Sequence, residues 1–107
     1  MKDLGSLMKQ AQAMQEKLQE AQARLAATLI EGTSGGGMVR LSLSGAGELK
    51  AVVIEESLMQ PGEGEVVADL LIAAHADAKR RLDKAQQDLM KDVAGPLAGM
   101  GLPGLKF

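Results

Sequence analysis

The feature that most restricts this chain is a narrow apolar seam near its start. Leu4, Leu7, Ala11, Met14, Leu18, Ala21, Leu25 and Thr28 follow one another at alternating spacings of three and four. The repeat runs for more than three heptads and predicts a long helix over about Asp3 to Thr28. Its other faces carry Lys9, Gln10, Gln12, Gln15, Glu16, Lys17, Gln19, Glu20 and Gln22, mostly good helix formers. Asp3 or Ser6 can cap its start. At 1.5 Å per residue the rod would be about 40 Å long. A seam two residues wide needs a partner helix, so something must cover it.

After Thr28 the period changes. Leu29-Ile30-Glu31 leads into Gly32-Thr33-Ser34-Gly35-Gly36-Gly37, where three consecutive glycines permit the positive φ of a tight turn. From Met38 to Ser44 the residues alternate, with Val39, Leu41 and Leu43 on one face and Arg40, Ser42 and Ser44 on the other. That is the signature of a half-buried strand. Gly45-Ala46-Gly47 is a second turn, and Glu48 to Glu55 a further strand with Leu49, Ala51 and Val53 opposite Lys50, Val52 and Ile54. Both faces of this last strand are partly apolar, which suits a strand covered on both sides or one at an interface. The whole reads as a three-stranded antiparallel meander, near the lower limit for an independent sheet.

A connector with Pro61, Gly62 and Gly64 precedes a second long helix, predicted from about Glu65 to Val93. Its stripe is Val67, Leu71, Ala74, Ala78, Leu82, Ala85, Leu89 and Val93. The expected fold class is therefore α+β, in the order α-β-β-β-α, with residues 1–94 as one domain. Gly95 to Phe107, with four glycines and two prolines, reads as a flexible tail without regular structure.

Composition removes several classes of function. Phe107 is the only aromatic residue and there is no cysteine, so aromatic pocket walls, disulfides and thiolate metal sites are all excluded. His75 is the single histidine and cannot form a metal site alone. The glycines Gly32, Gly35, Gly36 and Gly37 are followed by a strand, not by Lys-Ser/Thr and a helix, so they read as a hairpin loop and not as a phosphate loop. Glu55 and Glu56 are adjacent at a strand end, where side chains diverge, and a general acid–base pair needs convergence. The expectation is no enzyme, no cofactor, no metal and no small-molecule substrate. Residues 1–6 have no apolar h-region and no apolar run approaches a membrane span, so a cytoplasmic protein without a membrane partner is expected.

The formal net charge is −2, which does not mark a strongly basic nucleic-acid binder. Its distribution is uneven: residues 29–66 hold six carboxylates and two cations, and the helices are neutral to slightly basic. Lys79, Arg80, Arg81 and Lys84 form the densest cationic cluster, and Lys91 lies one heptad beyond Lys84. Lys2 and Lys9 are likewise one heptad apart. If the helices are antiparallel, Lys2 and Lys9 are expected beside Lys84 and Lys91, making a positive tip away from the sheet. An ordinary solvated flank, paired with Asp77, Asp83 and Asp88, is the alternative.

Three stretches in order resemble the YbaB/EbfC family of bacterial nucleoid-associated proteins. These are Leu7-Met8-Lys9-Gln10-Ala11-Gln12 with Met14-Gln15, then Gly32-Thr33-Ser34-Gly35 through Gly37 with Val39 and Gly45, and finally Asp77-Ala78-Lys79-Arg80-Arg81 through Met90. The Gly/Pro-rich run from Gly99 to Phe107 also has a counterpart in the family. Asp83 and Asp88 depart mildly from the pattern, standing where glutamates are common. The resemblance implies two protomers joined through their sheets, with the helices projecting as arms able to straddle a duplex. It also implies DNA binding in the cytoplasm, association with the nucleoid, and a role in chromosome compaction, gene regulation or DNA protection. Among the matching residues it implies DNA contacts by Lys9, Arg80 and Arg81.

The expected partners are thus double-stranded DNA and a second copy of the chain, with Lys2, Lys9, Lys79, Arg80, Arg81, Lys84 and Lys91 as the DNA-binding set. The lack of aromatics counts against base stacking and hence against single-strand or RNA recognition. The rival reading is a protein-binding coiled-coil module of the holdase kind, with Met8, Met14, Met90 and Met100 as adaptable contacts.

Overall fold

A computed structural model describes residues 2–99, with side chains from residue 3 to residue 93. The elements are α1 (Lys2–Ala26), β1 (Leu29–Ser34), β2 (Val39–Ser44), β3 (Leu49–Ile54) and α2 (Gly64–Gly99), the order the apolar periods predict. The strands form one antiparallel sheet in the order β1-β2-β3.

Register decides which side chains meet α2. Val39 pairs with Ser34 and Ile54, Leu41 with Gly32 and Val52, and Leu43 with Ile30 and Leu49. Cross-strand partners share a face, so β2 presents Val39, Leu41 and Leu43 to the helix. All three are buried, and with Leu58, Ala74, Ala78 and Leu82 they form the core. Each large apolar side chain buried this way contributes about 1.5–3 kcal/mol. Ser44, expected on the polar face, is also buried. Its Oγ accepts from the Ala46 and Glu48 N–H groups, each at 3.2 Å, and so closes the β2–β3 turn.

Three boundaries differ from expectation. α1 ends at Ala26, because Thr28 turns away to start the sheet and its carbonyl accepts from Gly45 N–H at 3.1 Å. Gly32, Thr33 and Ser34 belong to β1 and are not part of the turn; they pair with Leu41, Arg40 and Val39, and the turn is confined to Gly35–Gly37, all at positive φ. α2 continues to Gly99, so the expected boundary at residue 94 falls inside it. The helical backbone thus runs past Val93, the last residue of the apolar stripe. Residues 100–107 of the expected tail lie outside the described residues.

α2 crosses β1 and β2, then runs beside α1. Gln22, Leu25 and Ala26 of α1 line one shallow depression with Gln86, Leu89 and Met90 of α2. On the opposite flank Ala21, Arg24 and Thr28 face Ala85, Asp88, Asp92 and Val93. The molecule is long and thin, 74 × 24 × 15 Å, with a radius of gyration of 20.1 Å against about 13 Å for a compact chain of this size. The seam of α1 is half-buried at Met14, Leu18, Ala21 and Leu25, but Leu4, Leu7, Met8 and Ala11 are exposed. β3 is an uncovered edge strand, with Leu49 56% and Val53 51% exposed.

Candidate nucleic-acid interface

The middle of α2 is held against the sheet by its smallest residues. Ala74, Ala78 and Leu82 recur at four-residue spacing and are buried, so they form one stripe on the helix. Opposite them β1 offers Gly32, where a Cβ would overlap the Ala74 carbonyl oxygen and the Ala78 backbone nitrogen. The helix therefore lies directly on the strand backbone. Ser34 Oγ donates to the Leu70 carbonyl at 2.6 Å and secures the preceding turn.

This seating turns Asp77 toward the open edge of β1. Its Oδ2 accepts from the Thr33 backbone N–H at 3.0 Å and also faces Arg81 Nε at 3.3 Å. Oδ1 faces Arg80 Nη2 at 3.4 Å. The carboxylate is 20% exposed, against 72% for Arg80 and 63% for Arg81. The Thr33 N–H holds the Asp77 carboxyl below the usual carboxylate range; partial burial opposes this, and the charges of Arg81 and Arg80 add to it. Lys79 pairs with Asp83 at 3.0 Å in an exposed i,i+4 bridge. Such surface pairs contribute about 0–1 kcal/mol, so they leave these cations available to another anion. Lys84 is exposed, and no ion pair to it is formed among the described residues.

Arg80 and Arg81 therefore come together beside β1, at the body of the molecule, while Lys79 pairs with Asp83 on another face of the same helix and Lys84 lies one turn further along it. The expected positive tip is not formed. The register of the arms sets α1 residues 21–28 against α2 residues 85–93, so Lys91 lies part of the way along the arm. At 1.5 Å per residue, Lys9 is about 18 Å further out and the Lys2 backbone about 10 Å beyond that. The physical reason is the length of α2 already used in crossing the sheet, which leaves only its second half to accompany α1. Lys9 and Lys91 are exposed, and the Lys2 side chain lies outside the described residues. The basic groups make a cluster at the base and scattered single charges along the arms.

In the sequence Asp77 stands only as a charge partner for the cluster. Its spacing of three and four to Arg80 and Arg81 was readable, but its bond to a strand 44 residues earlier was not. Arg40 was also passed over as a candidate. It is exposed on the outer face of β2, as strand alternation already implied. Among the described residues no group of three His, Asp or Glu could hold a metal ion, and no helix is long and apolar enough to cross a membrane.

The comparisons with known proteins identify the family and the fold. The model of the YbaB/EbfC DNA-binding family matches residues 1–97. The chain is 68% identical to a nucleoid-associated protein of Caulobacter vibrioides (strain NA1000 / CB15N), over the full length of both. It is 67% identical to a nucleoid-associated protein of Phenylobacterium zucineum, covering 98% of this chain and 99% of the relative. The crystal structure of an uncharacterised Helicobacter pylori protein superposes with a TM-score of 0.68 at 26% identity, covering 86% of this chain and 94% of that one.

Proposed function

Because the chain belongs to the YbaB/EbfC DNA-binding family, we propose that it is a nucleoid-associated protein that binds duplex DNA as a homodimer, mainly through phosphate contacts. The observation that carries the reading is the cluster on α2. Arg80 and Arg81 stand together there on Asp77, Lys79 and Lys84 flank them on the same stretch of helix with Asp83, and the side chains of Lys79, Arg80 and Arg81 are more than half exposed. Cations held on a rigid helix meet the charge of a phosphate backbone without reading base edges. Lys9 and Lys91 add contacts along the arms, and Lys2 would extend them. Binding is only weakly dependent on sequence. The cellular role is nucleoid organisation, gene regulation or DNA protection, in the cytoplasm.

The homodimer reading is supported by β3. Its free edge and its exposed Leu49, Val52 and Val53 leave hydrogen-bonding groups and apolar surface open, which a second copy would cover with two-fold symmetry. The protein-binding alternative draws on Leu4, Leu7 and Met8, which are 57–63% exposed. It requires binding that does not weaken with salt.

The test of the site is the double charge reversal Arg80→Glu with Arg81→Glu, assayed by fluorescence anisotropy on a random-sequence duplex. Light scattering and circular dichroism check that dimer and fold survive. Loss of binding by an intact dimer is expected. Normal affinity with an unchanged salt dependence would overturn the site.

A further inference from the structure

We infer that Asp77 is a positioning residue for DNA binding: its carboxylate fixes Arg80 and Arg81 together beside β1 in the geometry that meets the phosphate backbone. The inference rests on the reading of α2 as the DNA-facing element. Three groups converge on the two carboxylate oxygens: Thr33 N–H donates to Oδ2, Arg80 Nη2 donates to Oδ1, and Arg81 Nε stands against Oδ2 in an ion pair. One of them is backbone, so the carboxylate is tied to the sheet as well as to its own helix. A flexible surface aspartate would have no such anchor.

The atoms used matter. Arg81 meets Asp77 through Nε, leaving the N–H groups of both terminal nitrogens for an external acceptor. Arg80 uses one terminal nitrogen and keeps the other. A guanidinium offers five donors in a fixed fork, so each arginine retains a free edge after meeting Asp77. Holding two long side chains in place before DNA arrives removes part of the cost of ordering them on binding.

Simple electrostatics points the other way. Asp77 is a negative charge beside a polyanion site, so neutralising it should tighten binding. Positioning requires the opposite sign. Asp77→Asn keeps an oxygen for Thr33 N–H but presents an amide to the arginines, and it should bind a random-sequence duplex about two- to tenfold more weakly than the wild type at equal salt. The loss should vanish in an Arg80→Gln, Arg81→Gln background, whereas a merely structural role for Asp77 would weaken that background too. Asp77→Glu, with the charge kept and the arm lengthened, should also weaken binding; it carries the test if Asp77→Asn does not fold.

Anisotropy titrations of the wild type, D77N, D77E, R80Q/R81Q and the combined D77N variant decide the matter. Weaker binding by D77N or D77E that disappears in the R80Q/R81Q background supports the inference. If R80Q/R81Q weakens binding but D77N, or D77E where D77N does not fold, matches or exceeds the wild type, or its loss persists in the R80Q/R81Q background, the inference falls and the site stands. If R80Q/R81Q has no effect, the site reading falls and the inference with it.

Discussion

Gly32 shows how much of this fold depends on the absence of one methyl group. α2 sits on β1 so closely that a Cβ at residue 32 would meet the backbone of Ala74 and Ala78, and backbone cannot swing aside as a side chain can. Overpacking of this kind costs typically 1–3 kcal/mol. Gly32→Ala should therefore lower stability in urea unfolding by at least about 2 kcal/mol, a large share of a small domain's total. Gly36 is the contrast: its φ is +67° and its Cβ position is open, so Gly36→Asn, which tolerates the left-handed region, should cost under about 1 kcal/mol. Equal losses at the two positions would contradict the close approach of α2 to β1. Asp77 makes a second prediction at this scale. Its pKa is lowered on folding, so its stabilisation is full above the ordinary carboxylate range and is lost as pH falls through the lowered folded value. The melting-temperature difference between wild type and Asp77→Asn should thus be widest near neutrality and close below about pH 4. A gap unchanged down to pH 2 would show that the charge of Asp77 adds nothing to the fold.

Each element has two halves with different fates. The first half of α1 carries its seam into solvent at Leu4, Leu7 and Ala11, while the middle of α2 is buried against the sheet at Ala74, Ala78 and Leu82. Local opening follows burial. In hydrogen exchange, amides of residues 3–11 should exchange orders of magnitude faster than those of residues 74–82; matching protection would mean that the distal seam of α1 is covered. This contrast also explains what was legible beforehand. Helical and strand periods are local patterns, so α1, β2, β3 and α2 could be read directly from the chain, as could the burial of Val39, Leu41 and Leu43. β1 was read only in part, because Gly32, Thr33 and Ser34 look like loop residues until the backbone of α2 is known to lie over them. The cationic cluster of Lys79 to Lys84 was legible as a run of charges. Its position was not, because the offset between the arms depends on how much of α2 the sheet consumes. The bond from Thr33 to Asp77 leaves no mark in either local pattern.

Over the whole molecule, charge and shape act together. A net charge of −2 would repel a polyanion if evenly spread. Here the acidity is concentrated in the sheet and its connections, while Arg80 and Arg81 of α2 stand together beside β1. The elongated outline, 74 Å in its longest dimension, carries the exposed Lys9 and Lys91 on the arms, at some distance from Arg80 and Arg81. In a two-fold dimer each set occurs twice, and four to six neutralised phosphates per dimer is a reasonable engagement. The most direct measurement is a salt titration of the wild-type protein on a labelled random-sequence duplex, following affinity by fluorescence anisotropy. With about four to six phosphates neutralised, log K should fall linearly with log salt at a slope of about −4 to −5, with little change when the DNA sequence is altered. Binding that is absent at low salt, or that persists without weakening as salt rises, would contradict a phosphate-based DNA interface.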